Sequence, residues 1–559
     1  MKRIAIVGGG ISGLAAAYEL ELARKHGAAI DWHLYEASDR LGGIVQTTRI
    51  GTPEGEYILE GGPDAWVSEK PWARELAIEL GLGEELIYSN DATRRTWVER
   101  NGRLLAIPAN MRLMVPNGIA ALAALDDSPL FSAEAKAAYA AEIGRAEELR
   151  ATALDRPGNA HADESVARFV LRHFGEEVLT TLAAPLLSGI FGGDVHKLSV
   201  RAVIKHFVDL ERDHGSLILG LDAKRAQRAP DTMDAPSVRD PSRASGDQPP
   251  GGNQPGGHQP IFTSLKRGMA SLVEAIVATL PADRVHLSLK VEHLSDDPRW
   301  QLILDDADFR PEEKPHPFVV EAFDHVFIAT PLDVTKPVLA TVDYDLRLDK
   351  FLPTNASSAI LATLTWPADI AGTFNIPAGF GFLVPPASTR PPVPGNAELT
   401  RDDAGAPPLT SATWAATDFS TPGATGTPSL LACTFVDQKF PHRAPPGARV
   451  LRAFFGGDSA TALANATDAA VVAASLAQLS SLLGFTLPTP EHTVVSRWPR
   501  SLPQYEVGHL DRIAELDALV AQLPGLTLLG NSYCGVGLPD LIHAARTAAR
   551  AAVPTPVTN

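Results

Sequence analysis

Three glycines, Gly8, Gly10 and Gly13, stand in the order G-x-G-x-x-G between an apolar run, Ile4 to Val7, and a helix-type stretch, Leu14 to Leu22. The order is that of a strand, a tight turn and a helix. Gly8 makes the turn, Gly10 lets backbone approach a pyrophosphate, and Gly13 lets the helix pack on the strand. The helix N-terminus then offers phosphate its free N–H groups and the positive end of its dipole. A purely structural turn is the plain alternative. Against it stands a second strand-like run, "IDWHLYE", which ends at Glu36. It lies about 20 residues beyond the glycines, where an acidic side chain reaches a ribose hydroxyl.

"YEASDRLGG" sets Arg40, Gly42 and Gly43 just after Glu36. An E-x-x-x-R-x-G-G run puts a fixed cation and two glycines with accessible backbone beside a pyrophosphate. A solvated turn arginine is the alternative for Arg40. Near the other end, "GLTLLGNSYCGVGLPDLIHAARTAARAA" repeats the logic of strand, glycine turn and helix, bringing a second helix N-terminus toward the same ligand. Tyr505 and His509 in "PQYEVGH" have the types of an acid and a base, with a hydrogen-bonded structural histidine carrying equal weight. Arg94, Arg95, Arg100, Arg103 and Arg112 form a local basic stretch that reads first as a solvated face, with a pocket for an anionic substrate as the alternative.

These groups need a framework. The chain has 559 residues and 45% hydrophobic composition, enough for more than one domain with sizeable cores. Its 49 basic and 66 acidic residues give a formal charge of −17, which argues against general attraction to nucleic acid or anionic lipid. With only Cys433 and Cys534, neither a disulfide framework nor a cysteine-rich metal site is expected, and a reducing, cytoplasmic setting is the simplest. The first strand starts near residue 3, which leaves no room for a signal peptide, and no run reaches membrane-spanning length.

Residues 118 to about 215 read as mostly helical, with Val166, Phe169, Val170, Phe174, Val178 and Leu182 at helical spacing behind an Asp163 cap. Residues 221–260 are rich in proline, glycine and charge, so they are expected to form a disordered loop. A weaker insertion covers 386–428. Strand-like runs such as "SSAILATLTW", "GFLVP", "LLACTFV" and "VLRAFFGG" suggest an antiparallel domain over 340–480.

The N-terminal pattern resembles a flavoprotein superfamily that includes amine oxidases, phytoene desaturases and porphyrinogen oxidases. More specifically, "EGGPDAW", "PLLSGIFGGDVHKLSVRA", "IPAGFGFLVP", "KFPHRAP", "RWPRSLPQYEVGHLDRI" and "LLGNSYCGVGLPDLI" are similar, in order, to the signatures of protoporphyrinogen and coproporphyrinogen oxidases. The resemblance runs from residue 4 to about 550. It implies an α/β fold: a Rossmann-like FAD-binding domain in three parts (1–90, 261–335 and 491–559), a mixed-sheet substrate domain (336–490) and a helical lobe (91–215) that touches membranes in some relatives.

It also implies non-covalent FAD and a reaction of heme biosynthesis. A porphyrinogen, coproporphyrinogen III or protoporphyrinogen IX, would lose electrons to FAD and then to O2, giving H2O2. Oligomeric state is left open, as are peripheral contact at the inner face of a membrane and hand-over to a ferrochelatase.

Residue by residue, Gly8, Gly10, Gly13, Glu36, Arg40, Gly42 and Gly43 would hold the cofactor. Val291 sits where relatives offer backbone to adenine, or is a plain strand valine. Gly535, Val536 and Gly537 would pass under the flavin. Many relatives have an acidic residue at the place of Asn531. Gly189 matches a glycine that faces the macrocycle, or is a bulge or tight-packing glycine; Lys70 lies near where some bacterial relatives place a propionate-binding cation, or is a solvated lysine; and Phe380 and Leu383 would wall an apolar slot or fill core. An amine oxidase, a polyene desaturase and a non-catalytic flavin-binding scaffold are the competing readings.

Overall fold

The computed structural model describes residues 1–154, 163–228, 260–296, 299–306, 318–319, 322–342, 347–353, 355–385 and 428–554. A five-stranded parallel sheet gathers strands from the start, middle and end of the chain. Its spatial order is Val285–His286, Ile30–Tyr35, Lys2–Val7, His325–Ile328 and Leu526–Leu528. Ile4 to Val7 are all buried, as an unbroken apolar run must be in a strand covered on both faces.

The helix Ile11–Lys25 follows the first strand, and its continuous small and aliphatic face, Leu14 to Ala17 with Leu20, is fully buried. It packs on the C-terminal helix, Leu538–Ala552. Arg546 and Arg550 reach back to Glu19, each at 2.7 Å.

A seven-stranded mixed sheet forms the second unit, in the order His492–Pro503, Ala356–Trp366, Arg449–Gly456, Ala432–Phe435, Gly381–Leu383, Thr96–Arg100 and Arg103–Ala106. All its pairings are antiparallel except that of Gly381–Leu383 with Thr96–Arg100. Two segments are thus corrected: Thr96–Ala106 joins this sheet rather than the helical lobe, and His492–Pro503 is its edge strand rather than part of the nucleotide unit. Backbone pairing with strands far away in sequence decides both.

The lobe packs Ala133–Gly144, Val166–Phe174, Ala184–Phe191, Lys205–His214 and Leu217–Arg228 around one apolar cluster. The six periodic residues from Val166 to Leu182 are all buried in it, but the helix stops at Phe174, where Gly175 takes φ 83°. Its cap is Ser165, whose hydroxyl accepts from Arg168 N at 3.2 Å. Asp163 instead accepts from Gly508 N at 2.8 Å and ties the lobe to the Tyr505 segment.

The loop expected over 221–260 does not hold for its first residues. Residues 221–228 complete a helix because Leu221 still reaches the lobe core, and 229–259 lie outside the described residues. The second insertion also lies outside them over 386–427. Among the described residues no helix is long and apolar enough to cross a membrane.

Candidate functional site

The first glycine turn has the steric properties its spacing predicts. Gly8 has φ +104°, and a Cβ there would meet the Ala329 carbonyl oxygen at 2.7 Å. A Cβ on Gly13 would lie 1.9 Å from the Gly8 carbonyl oxygen, so only glycine lets the helix approach the strand this closely. Gly10 differs: a Cβ would meet nothing within 4 Å. The helix that starts here has no side-chain cap and no acidic residue in its first turn, which leaves its N–H groups for a ligand.

Glu36 is half-buried; its Oε2 accepts from Gly9 N at 2.6 Å and its Oε1 from Ser38 N at 2.9 Å. The following segment folds back on the turn. Gly42 N donates to the Gly9 carbonyl at 2.9 Å, and a Cβ on Gly43 would touch Gly10 Cα at 3.3 Å. Arg40 is exposed and donates to the Gly43 carbonyl at 3.0 Å. Val291 lies on the strand beside this corner, where Leu289 N donates to the Glu36 carbonyl at 3.0 Å; its side chain is buried in the core.

The second turn is braced from below. The Tyr505 hydroxyl donates to the Asn531 carbonyl and accepts from Gly535 N at 3.0 Å, while Asn531 Nδ2 donates to the Ser501 carbonyl at 2.9 Å. Tyr505 also stacks on His509, with ring centroids 4.1 Å apart. Burial raises the Tyr505 pKa, and burial followed by nearby Arg512 lowers that of His509 to about 4. Among the described residues, neither ring nitrogen of His509 has a hydrogen-bond partner. The pair is a strut, a neutral histidine under a committed tyrosine, and not an acid–base couple.

Gly537 precedes the C-terminal helix, and Asp540 lies in that helix's first turn, 3.0 Å from where a Gly537 Cβ would stand. Val536 is half-buried between the two glycines. Asp540 is held by Lys70, with Nζ at 2.7 and 2.6 Å from its two carboxylate oxygens. Burial and the Asp540 charge push the neighbouring Cys534 thiol up to about 11, which keeps it protonated at neutral pH.

Gly189 and Leu383 come together: the nearest atom to a Gly189 Cβ would be Leu383 Cδ2, at 3.4 Å. Phe380 is half-buried near Phe262, with ring centroids 6.5 Å apart, and its N donates to the Arg95 carbonyl at 2.8 Å. Of the basic stretch, Arg100 pairs with Glu177 at 2.7 Å and Arg112 with Glu69 at 3.6 Å, whereas Arg94, Arg95 and Arg103 are exposed.

Sequence reasoning missed a set of residues around Gly61 and Gly62. Trp498 Nε1 donates to the Gly61 carbonyl at 2.7 Å, and Arg452 donates to the Gly62 carbonyl. Lys439 pairs with Asp64 at 2.9 Å, and Arg443 with Glu60. Burial pushes the Asp64 carboxyl up, but Lys439, Arg452 and Arg443 outweigh it and hold the pKa at about 2. "EGGPDAW" and "KFPHRAP" contain four of these residues, so their motif membership was the available signal; that they meet is a property of the fold.

The profile of the flavin containing amine oxidoreductases matches residues 11–368 and 406–553. Coproporphyrinogen III oxidase of Bacillus subtilis (strain 168) is 29% identical over 550 residues, spanning 98% of this chain and 97% of its own. That of Staphylococcus aureus is 26% identical over 98% of both chains. Protoporphyrinogen oxidase 1, chloroplastic, of Arabidopsis thaliana is 28% identical over 97% of this chain and 86% of its own. A solved structure from Exiguobacterium sp. 255-15, provisionally assigned as a protoporphyrinogen oxidase, superposes with a TM-score of 0.69 at 28% identity over 98% of both chains. Putrescine oxidase bound to putrescine superposes at 0.57 with 15% identity, a likeness of fold.

Proposed function

The chain belongs to the flavin-containing amine oxidoreductases, and from that footing we propose that it oxidises a porphyrinogen, coproporphyrinogen III in the first place, to the porphyrin. It is an FAD-dependent oxidoreductase. The observation that carries the substrate reading is the end-to-end match to coproporphyrinogen III oxidases, over 98% of this chain and 97% of the B. subtilis enzyme, beyond the cofactor-binding parts alone.

The residues present fit FAD. Gly10 stands beside open space at an uncapped helix N-terminus, which suits a pyrophosphate, and Gly8, Gly13, Arg40, Gly42 and Gly43 shape the same cradle. Glu36 would hold the adenosine ribose, the Val291 backbone the adenine, and Asn531, Gly535, Val536 and Gly537 the flavin end. FAD supplies, when bound, the acceptor for successive two-electron oxidations, with O2 as the final acceptor and H2O2 as its product in this proposal.

The chain's own contribution is placement. Gly189, Leu383, Phe380 and Phe262 offer apolar surface from three parts of the sequence, suited to a flat macrocycle. Coproporphyrinogen III carries more carboxylates than protoporphyrinogen IX. The exposed Arg94 and Arg95, next to Phe380 through the Arg95 carbonyl, supply cations that such a substrate calls for.

The test is anaerobic mixing of the holoprotein with coproporphyrinogen III and, separately, protoporphyrinogen IX, following the oxidised flavin band. Faster bleaching by the first supports the proposal, and faster bleaching by the second changes the substrate. Bleaching by neither rejects porphyrinogen oxidation in favour of an amine or polyene substrate, or of a scaffold.

A further inference from the structure

Five charged side chains meet beneath the Gly61–Asp64 loop, and their charges do not balance. Arg443 is 0% exposed, Arg452 2%, Lys439 7% and Glu60 4%. Asp64 is partly buried and ionised, with its carboxyl pKa held at about 2. Among the described residues, three cations therefore face at most two carboxylates. Among the described residues, the Nε of Arg443 and that of Arg452 are both buried without a partner. An uncompensated buried charge is expensive, and a negative charge that develops beside it is correspondingly stabilised.

The loop above the cluster identifies that neighbour. Gly61 N donates to the Gln46 carbonyl at 2.8 Å, and a Cβ on Gly62 would collide with the Ile44 carbonyl oxygen at 1.8 Å, so the loop is continuous with the Gly42–Gly43 side of the first turn. The strand His492–Pro503 touches the loop through Trp498 and the second turn through the Ser501 carbonyl. The Gly61–Gly62 backbone thus bridges the two glycine turns that bracket the cofactor. Arg452 projects from the middle of the seven-stranded sheet, paired to Thr363 and Thr434, and donates to the loop from beneath.

We propose that the surplus positive charge of Arg452, Arg443 and Lys439 raises the reduction potential of the bound FAD by favouring the negative charge it acquires on reduction. These are positioning and tuning residues that act through the Gly61–Gly62 backbone and the local field. The inference rests on FAD as the redox group and is independent of which substrate is oxidised.

The experiment is spectroelectrochemical titration of the holoprotein without substrate. Arg452→Met and Lys439→Gln each remove one positive charge, and the midpoint potential is expected to fall in both. Asp64→Asn removes a negative charge and should move the potential in the opposite direction. Lys439→Gln and Asp64→Asn keep the test open if Arg452→Met fails to fold. Unchanged potentials in folded, FAD-loaded variants overturn the proposal. A raised KM with the potential unmoved also overturns it, and assigns the cations to a substrate carboxylate instead.

Discussion

Lys70 and Asp540, 470 residues apart in the chain, form an ion pair in which Nζ lies 2.7 and 2.6 Å from the two carboxylate oxygens. The lysine read from sequence as a partner for a substrate carboxylate thus has an internal carboxylate in the first turn of the C-terminal helix. The Lys70 side chain is 44% exposed, so the pair contributes only about 0–1 kcal/mol to stability. Lys70→Ala is expected to leave unfolding nearly unchanged and to raise KM more than it lowers kcat, the pattern of lost uniform binding. Asp540→Asn, which frees the ammonium, should then lower KM. If KM stays constant in both variants, Lys70 serves Asp540 alone.

Gly10 and Gly13 separate cofactor binding from folding. A Cβ at Gly13 falls 1.9 Å from the Gly8 carbonyl oxygen, whereas one at Gly10 meets no atom of the described residues within 4 Å. Gly13→Ala is therefore expected to lower the apoprotein's Tm. Gly10→Ala should keep the wild-type apoprotein Tm while weakening FAD binding at least about tenfold, because the methyl group enters the space a pyrophosphate would take. Fluorescence titration of apoprotein with FAD measures the second effect. Unaltered affinity in Gly10→Ala would place the pyrophosphate elsewhere.

What the sequence revealed follows how local each determinant is. The glycine turns were legible because turn geometry and helix termini are set by residues a few positions apart. The lobe's apolar stripe was legible for the same reason, although its cap was not: Asp163 and Ser165 both have capping side chains, and Asp163 was taken up by Gly508 N. Arg452 was invisible as a site residue, and Trp498 was marked only by its place in "RWPRSLPQYEVGHLDRI", since each is a single residue in a strand whose partner, Gly62 or Gly61, lies several hundred residues away. Strand membership failed likewise at Thr96–Ala106 and His492–Pro503, where pairing is non-local and periodicity does not name a partner.

Asp64 gives a stability signature at acid pH. Its carboxyl is held at about 2, against an ordinary value of 3.8, so its contribution is fully present above about pH 4 and is lost as pH falls through 2. The difference corresponds to about 2 kcal/mol. Asp64→Asn should cost at least that much in urea unfolding at neutral pH, with the gap to wild type closing between pH 4 and pH 2. A gap that stays constant over that window would mean that Asp64 is not ionised by its neighbours.

His509 works in the same sense but in a higher window. Its ring is 1% exposed, stacked on Tyr505 and without a hydrogen-bond partner at either nitrogen, and its pKa is lowered from 6.5 to about 4 by burial and then by Arg512. The folded protein therefore resists a proton that the unfolded chain accepts. Stability is complete above pH 6.5 and falls as pH drops toward 4, by about 3 kcal/mol for a shift of this size. His206 and His325, both also lowered to about 4, add to the same slope. His509→Phe keeps an aromatic ring against Tyr505 and abolishes the titration. Relative to wild type it should gain about 3 kcal/mol between pH 6.5 and pH 4, read from urea unfolding at several pH values in that range. Parallel curves for the two proteins would show that His509 accepts a proton in the folded state and would reopen its case as a base.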